Sequence, residues 1–253
     1  MKISILQFKP NFGNILENFK TVNKLINYLT LESPDIIVLP ELWSTGFYPK
    51  PVLNFADHNG KEICDFLATL SNKHNVNIVG GTVIVQENDK IYNRSYIFNR
   101  TGKNVATYDK IHLFSMSKEN EVFSAGYDIP IFEIDGIKSS IAVCYDIRFP
   151  ELIRDVALND IFILFLPAAW PLKRLEHWKI LTRARAIENQ IFIVAANSAG
   201  HSTIIDPWGE ILVEAGSEEE IITVNINLNI CKEVRNNMNV FADRRDHKIK
   251  IYK

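Results

Sequence analysis

Residues 161–197, IFILFLPAAWPLKRLEHWKILTRARAIENQIFIVAAN, decide which fold the sequence predicts. The stretch opens on the strand pattern IFILFLP (Ile161–Pro167) and closes on IFIVAAN (Ile191–Asn197), with a long helical pattern, HWKILTRARAIENQ (His177–Gln190), between them. Strands that are apolar on both faces need protein cover on both faces. The stretch therefore predicts a sheet that is buried on both sides.

The rest of the chain supplies the other layers, because strands alternate with helices at both ends while a run of strands fills the middle. The helical patterns are Asn14–Leu29, Cys64–Lys73, Pro150–Leu158 and His177–Gln190. The strand patterns are Ile3–Phe8, Asp35–Pro40, Val76–Gln86, Lys90–Asn99, 102–110, 136–144, Ile161–Pro167, Ile191–Asn197, a hairpin over 201–215, and 220–228. Two packed sheets with helices outside them satisfy these patterns, so we predict an α/β fold, a four-layer α-β-β-α sandwich in a single domain over residues 1–253.

Composition and charge exclude several classes of function. The chain has 253 residues, 47% of them hydrophobic, and a net charge of −2 without a lysine and arginine stripe, so a nucleic-acid partner is not expected. The first residues, MKISILQFKP, hold an apolar run too short for a signal peptide or a membrane span. We expect a soluble, cytoplasmic protein with no membrane partner.

The cysteines and histidines do not form a metal or disulfide pattern. Cys64, Cys144 and Cys231 are odd in number and far apart, with no CxxC spacing. Each is by default a small buried hydrophobic residue, and Cys64 and Cys231 are expected to be inert. His112 and His201 lack partners at metal-ligand spacing, so we interpret them as structural hydrogen-bonding groups. No GxxxxGK[ST] or GxGxxG motif is present, which argues against a nucleotide enzyme.

Three strand ends carry side chains that suit nucleophilic catalysis. Glu41 follows DIIVLP, Lys110 lies in TYDKIHLF, and Cys144 ends IAVC. Ligands of α/β sheets bind beyond the carboxyl ends of the strands. There a thiolate would be the nucleophile, an ammonium would lower its pKa, and a carboxylate would accept the thiol proton. The structural alternative is a helix-cap acid, a solvated lysine and a core cysteine, and spacing alone does not show that the three meet.

The motifs PELWSTGF, YDKIHLF and CYDIRFPEL, in this order, resemble the nitrilase-type carbon–nitrogen hydrolases. The resemblance extends to RARAIENQIFIVAAN, GHSTIIDPWGEIL and VRNNMNVFADRRDHKIKIY, nearly the whole chain. It implies an α-β-β-α sandwich and a catalytic triad with Glu41 as general base, Lys110 as oxyanion-stabilising group and Cys144 as nucleophile. It also implies a second glutamate that orients the lysine and substrate, for which Glu119 matches better than Glu121.

The resemblance implies a reaction that needs no metal or organic cofactor. Cys144 would attack an amide carbonyl and form a thioester, while Lys110 and the backbone N–H of Tyr145 would hold the oxyanion. Ammonia would leave, and water would then release a carboxylic acid. Asp146 and Arg148, just after the cysteine, are interpreted as braces of the turn and not as reactants.

The segment PAAWPLKRLEHWKIL resembles the omega-amidase branch, which hydrolyses the terminal amide of 2-oxo acids such as 2-oxoglutaramate. Arg174 would bind the far carboxylate of the substrate, and Phe114, Met116 and Trp170 would line the apolar part of the pocket. The alternatives are a solvated charge for Arg174 and a core aromatic for Trp170. The loop before Gly200 is shorter than in many relatives, which weakens the substrate assignment but not the triad.

Two other functions stay open at this point. The same thiol chemistry would serve a nitrilase or an N-carbamoyl amidase acting on another small substrate. A catalytically silent binding or scaffold protein would keep the fold without turnover, although an intact triad argues against it. The resemblance also implies a homodimer in which the C-terminal arm, about residues 229–253, and the helix after the cysteine pack on a partner subunit.

Overall fold

The structure, a computed structural model, describes residues 1–245 as two β-sheets with helices on their outer faces. Over this range the strands are β1 (Lys2–Gln7), β2 (Ile36–Val38), β3 (Asp57–His58), β4 (Asn77–Val79), β5 (Val83–Glu87), β6 (Lys90–Phe98), β7 (Asn104–Asp109), β8 (Ile131–Ile134), β9 (Ile137–Ile141), β10 (Ile163–Ala168), β11 (Phe192–Asn197), β12 (Thr203–Ile205), β13 (Ile211–Glu214) and β14 (Glu220–Asn225). The α-helices are α1 (Ile15–Leu29), α2 (Lys61–His74), α3 (Pro150–Ala157), α4 (Leu175–Asn189), α5 (Asn229–Asn237) and α6 (Val240–Asp243).

The strands form one eight-stranded and one six-stranded sheet. The first sheet has the order β14-β1-β2-β4-β6-β5-β3, with β7 also paired to β6, and the second has the order β13-β12-β11-β10-β9-β8. The stretch that decides the fold forms β10, α4 and β11, and its two strands pair in parallel with Ile163 opposite Phe192. Strands β9, β10 and β11 are parallel neighbours at the centre of the second sheet.

The alternation of side chains along the strands sets the layers. In β2, Ile36 and Val38 belong to the core between the two sheets, while Ile37 belongs to the core under α1 and α2. Val22 of α1 and Leu67 of α2 are fully buried there, and each such side chain contributes about 1.5–3 kcal/mol. On the other side, α4 packs on β11 and β12. The predicted α-β-β-α sandwich is confirmed.

The strand predicted over Val76–Gln86 is two strands, β4 and β5, because two glycines interrupt it. Gly81 has φ +59°, and a Cβ at this position would lie 2.1 Å from the carbonyl oxygen of Pro40. The glycine therefore allows the segment before Glu41 to approach closely. The sequence analysis also missed β3, which is two residues long, and β8; a two-residue strand is too short to show a periodic pattern.

The first part of the predicted C-terminal arm packs on its own chain. Cys231 in α5 is fully buried, and the guanidinium of Arg235 donates a hydrogen bond to the carbonyl oxygen of Ile161 at 2.7 Å. The rest of the arm, residues 246–253, and with it the end of the predicted domain and of the last motif, lie outside the described residues. Among the helices of residues 1–245, none combines the length and the apolar character that a membrane crossing requires.

Candidate active site

Glu41, Lys110 and Cys144 line one cavity of about 1010 Å³, each just beyond a strand end. The ammonium of Lys110 lies 2.8 Å from Oε1 of Glu41, and both side chains are buried. The charges of the Glu41 carboxylate and the Lys110 ammonium both act on the thiol of Cys144, which lines the same cavity. Chain segments far apart in the sequence thus place a carboxylate, an ammonium and a thiol around one space.

Lys110 is held by a second buried carboxylate, that of Glu119. The distances from Lys110 Nζ to the two oxygens of Glu119 are 3.0 and 2.9 Å. Burial by itself would lower the pKa of Lys110, but the charges of Glu41 and Glu119 outweigh it and raise the pKa well above its ordinary value. Glu121, the weaker sequence match, is exposed beside Lys118 and does not reach the lysine of the site.

Glu119 also holds a wall of the cavity. Its Oε2 accepts a hydrogen bond from the backbone N–H of Phe114 at 2.7 Å, and its own N–H donates to the carbonyl oxygen of Phe114. The loop that carries Phe114 and Met116 is therefore fastened to the ion cluster, so substrate-facing residues and the ammonium share one support.

Asn93 is a member of the site that the sequence analysis missed. Its side-chain amide donates to Oε1 of Glu41 at 2.9 Å and to Oε1 of Glu119 at 3.0 Å. Its backbone carbonyl accepts a hydrogen bond from the N–H of Lys110. The available signal was an asparagine in the interior of a strand pattern, where this residue type is disfavoured.

Cys144 lies at a sharp turn that Asp146 braces. The cysteine has φ +47°, a left-handed conformation that costs a non-glycine residue about 1–3 kcal/mol. Oδ2 of Asp146 accepts hydrogen bonds from the N–H of Val143 at 2.8 Å and from the hydroxyl of Tyr108 at 2.7 Å. Oδ1 lies 2.9 Å from both the backbone N and Nδ1 of His112. Asp146 and His112 thus have the structural roles that the sequence indicated.

The thiol of Cys144 is held in its protonated form. Burial raises its pKa, the charge of Glu41 raises it further, and the opposite effect of Lys110 is smaller, so the pKa stands well above that of a free cysteine. The sequence analysis expected the ammonium to lower this pKa. Lys110 does lower it, but burial and the carboxylate of Glu41 outweigh that effect. An attack by sulfur therefore needs a base, and Glu41 is in place.

The four residues expected to bind substrate all line the cavity. Trp170 is buried, and its indole N–H donates to the carbonyl oxygen of Arg174 at 2.8 Å, so this residue is both a core aromatic and a wall. Arg174 is half-buried, with its guanidinium 5.1 Å from the ring centre of Phe114. Met116 is 81% exposed and lies at the rim.

Arg148 has a different place from the one expected. Instead of bracing the turn, it lines the cavity with its guanidinium 4.5 Å from the ring centre of Trp170 and 3.2 Å from Nδ1 of His177. Burial, and to a smaller extent the charge of Arg174, lower the pKa of Arg148. Two guanidinium groups therefore face one space, an arrangement that suits a carboxylate ligand.

The mouth of the cavity mixes opposite charges. Ser198 and Ala199, from the short loop before Gly200, form part of the lining, and Lys9 and Glu219 are among the other lining residues. The backbone N–H of Lys9 donates to Oε1 of Glu219 at 3.1 Å.

The remaining cysteines and the second histidine lie outside this cavity. Burial raises the pKa of Cys64 to about 11 and that of Cys231 to about 12. His201 lies 2.9 Å from Glu214, which also pairs with Lys179. Burial opposes ionisation of Glu214, but the two partners together lower its pKa. Of residues 1–245, no group of three or more histidine, cysteine and acidic side chains is arranged to hold a metal ion.

Comparisons with known proteins show which family the chain is similar to. A family model for carbon–nitrogen hydrolases matches residues 2–236. The 2-oxoglutaramate amidase of Bacillus subtilis (strain 168) is 44% identical, over 96% of this chain and 97% of its own length. The omega-amidase NIT2 of Xenopus tropicalis is 30% identical over 90% of each chain. The crystal structure of Saccharomyces cerevisiae Nit3, of branch 10 of the nitrilase superfamily, superimposes with a TM-score of 0.88 at 29% identity, over 94% of each chain.

Proposed function

Since the chain belongs to the carbon–nitrogen hydrolase family, we propose that it hydrolyses the terminal amide of a small 2-oxo acid amide, of the kind that 2-oxoglutaramate represents, to a carboxylic acid and ammonia. One observation carries the proposal: a buried Glu41–Lys110–Glu119 cluster stands beside the thiol of Cys144 in a cavity that two arginines also face. The similar protein of Bacillus subtilis is named 2-oxoglutaramate amidase.

The first half-reaction forms a thioester. Glu41 takes the thiol proton as the sulfur of Cys144 attacks the amide carbon, because the thiol is protonated at rest. The negative charge that develops on the carbonyl oxygen is stabilised by Lys110 and the backbone N–H of Tyr145. Glu41 then transfers its proton to the nitrogen, the C–N bond breaks, and ammonia leaves.

The second half-reaction returns the enzyme to its resting state. Glu41 takes a proton from water as the water oxygen attacks the thioester carbon, and the same donors stabilise the second oxyanion. The C–S bond breaks, the sulfur of Cys144 recovers its proton from Glu41, and the carboxylic acid is released. Glu119 keeps Lys110 in place throughout. The sequence of steps uses no metal ion or organic cofactor.

The arginines account for the choice of a carboxylate-bearing amide. A five-carbon oxo acid has its carboxylate at the end opposite to the amide, so the two groups must be bound at separate places. Arg174 and Arg148 provide planar guanidinium groups for the carboxylate, and Phe114 and Trp170 flank the space between. Arg148 thus joins Arg174, Trp170, Phe114 and Met116 in the proposed substrate site.

Location and assembly are part of the proposal. Cys64, Cys144 and Cys231 are free thiols, and a thiol nucleophile is best preserved in the reducing cytoplasm, where we place the protein. We further propose a homodimer. The support is the resemblance of the helix after the cysteine and of the C-terminal arm to elements that pack on a partner subunit in this family.

Ammonia release from a panel of substrates tests the proposal. The panel holds 2-oxoglutaramate, simple amides, nitriles and N-carbamoyl amino acids, and Cys144→Ala is the blank. We expect 2-oxoglutaramate to have the highest kcat/KM. Activity on nitriles or carbamoyl compounds alone would replace the proposal by the alternative hydrolase functions, and no turnover of any substrate by the folded protein would favour a binding protein.

A matched pair of variants tests the role of the arginines. Arg174→Met should raise KM for 2-oxoglutaramate about ten- to a hundredfold, the usual effect of losing a hydrogen bond to a charged group. It should leave the reaction of an uncharged short amide nearly unchanged. Arg183→Met is the control, since that side chain donates to the carbonyl oxygen of Gly209 and does not line the cavity. Equal effects of Arg174→Met on both substrates would contradict carboxylate binding.

A further inference from the structure

We propose that Asn93 is a positioning residue of this reaction, whose amide orients Glu41 so that one fixed oxygen faces the thiol of Cys144. The inference rests on the proposed function, because it concerns the same base and the same nucleophile. Asn93 is fully buried on β6 and is not among the residues that line the cavity. It therefore acts through Glu41 and Glu119 and not on the substrate.

The orientation of the Asn93 amide follows from its neighbours. An ionised carboxylate can only accept hydrogen bonds, and a primary amide has two N–H groups to donate. Nδ2 of Asn93 lies 2.9 Å from Oε1 of Glu41 and 3.0 Å from Oε1 of Glu119. One N–H therefore points at each carboxylate, and the oxygen end of the amide must face away from both.

These bonds divide the work between the two oxygens of Glu41. Oε1 accepts from both Asn93 and Lys110, whereas Oε2 accepts from the backbone N–H of Ala169 at 2.9 Å. Since Oε1 already has two donors and Oε2 has one, Oε2 is the oxygen left with the capacity to accept the thiol proton. A lysine ammonium on a flexible stem can follow a rotating carboxylate, but a planar amide on a β-strand cannot. Asn93 therefore holds Oε1 as the backbone N–H of Ala169 holds Oε2, and without the amide only one fixed donor would orient the carboxylate.

Asn93 also stabilises the two negative charges of the cluster. Two carboxylates share one ammonium, so their negative charges repel each other. A neutral amide between them supplies a hydrogen bond to each without adding charge. In addition, the carbonyl oxygen of Asn93 accepts from the N–H of Lys110 at 3.0 Å. One residue therefore supports both acids and the strand end that carries the ammonium.

The fold keeps this amide at a cost. Oδ1 of Asn93 is buried without a hydrogen-bond partner among residues 1–245, and an unpaired buried acceptor destabilises a protein. An apolar residue would avoid this cost in the interior of a strand. The N–H groups of Asn93 are hydrogen-bonded while its Oδ1 is not. This arrangement is expected if the N–H groups serve the reaction.

The test compares two asparagines in matched surroundings. Asn93→Ser removes both amide donors of the site. Asn189→Ser is the control, because Asn189 is also fully buried, also has an unpartnered Oδ1 in the described part of the chain, and donates to the carbonyl oxygen of Arg185 away from the cavity. Asn93→Leu, which keeps the approximate size of the side chain and removes both donors without adding a charge, is the second variant in case the serine variant folds poorly.

The expected result is a loss of kcat without a loss of binding. In Asn93→Ser, kcat should fall about ten- to a hundredfold, the effect of losing a charge-assisted hydrogen bond, while KM stays within about twofold because the residue does not touch substrate. The acid limb of kcat/KM should move to higher pH, since Oε1 of Glu41 then loses one of its two donors, while Lys110 and the backbone N–H of Ala169 remain. Asn189→Ser should lower the melting temperature and leave kcat and the pH profile unchanged.

Three outcomes would overturn the inference. The first is an Asn93→Ser enzyme with the kcat and acid limb of the wild type, or with a loss that vanishes after correction for the folded fraction. The second is the failure of both Asn93 variants to fold while Asn189→Ser folds, which would assign the amide to stability. The third is an unchanged pH dependence of Cys144 alkylation. The rate of Cys144 alkylation by iodoacetamide against pH should shift in the same direction. This measurement needs no substrate. An unchanged pH dependence of alkylation in Asn93→Ser would therefore overturn the inference even if the wild-type protein hydrolysed nothing in the panel and the proposed function had failed.

Discussion

Replacing Lys110 by methionine removes the charge of the site while keeping the length of the side chain. Lys110 is buried, with Glu41 and Glu119 both within hydrogen-bond distance. The variant therefore loses one oxyanion donor and leaves two buried carboxylates without a cation. These two losses act on different quantities, the rate and the free energy of unfolding, so each can be measured separately.

Both magnitudes follow from this geometry. Loss of one oxyanion donor should lower kcat by about a hundred- to a thousandfold, or about 2.7–4 kcal/mol of transition-state stabilisation. Removal of the cation from a buried ion cluster should lower the free energy of unfolding by about 3–5 kcal/mol, a large part of the ~5–15 kcal/mol that holds a typical domain. Protonation of the unpaired carboxylates relieves the second loss, so the stability gap to the wild type should narrow as the pH falls toward about 5.

The assays are ammonia release at saturating 2-oxoglutaramate and urea unfolding at pH values near 7 and 5. Lys61→Met is the control, because Lys61 forms an exposed pair with Asp65 on the surface of α2, where a salt bridge has little effect on stability. Folded Lys110→Met enzyme with more than a tenth of the wild-type kcat would refute the oxyanion role. A stability gap of equal size at both pH values would refute the charge argument.

Three further predictions follow from the same structure. Asp146→Asn should lower the free energy of unfolding by about 2–3 kcal/mol and kcat at least tenfold, because the new amide N–H₂ would face backbone and side-chain donors. Urea unfolding and ammonia release measure the two effects, and a loss of stability with an unchanged kcat would contradict the prediction. Iodoacetamide should label Cys144 before Cys64 and Cys231 near neutral pH, because of the three thiols it alone lines the cavity, where Glu41 can take its proton. Equal labelling in peptide mass spectra would oppose the nucleophile role. Glu214→Gln should destabilise the protein at neutral pH but not near about pH 3. A lowered pKa in the folded state gives stability that is complete above the unfolded pKa of about 4.3 and is lost as the pH falls through the folded pKa. The same difference in urea midpoint between variant and wild type at both pH values would refute this.

Much of the fold could be predicted because its signals are local. The apolar runs of β10 and β11 require cover on both faces, and the alternation in β1 and β2 shows which side chains face each layer. The break of the strand at Gly81 was not predicted, because it depends on the close approach of the Pro40 carbonyl from a distant segment. No local pattern of apolar residues reports such an approach.

The residues of the site also divide into those that have a local sequence signal and those that do not. Glu41, Lys110 and Cys144 could be found because each follows a recognisable strand and lies in a motif. Asn93 could not, since its role comes from carboxylates 52 and 26 residues away in the chain. The direction of the Cys144 pKa was also beyond the sequence, because it depends on how deeply the thiol is buried and on which charge lies nearest.

The amino-acid sequence by itself determined the class of fold, the strand ends that carry an acid, an amine and a thiol, and the family to which their motifs point. These follow from periodicity and from short motifs, which are properties of neighbouring residues. Only the tertiary structure decided that Asn93 lies between two carboxylates, that Arg148 faces the cavity, and that the thiol rests protonated. The order of strands in the sheets brings those groups together, and packing between distant segments sets that order.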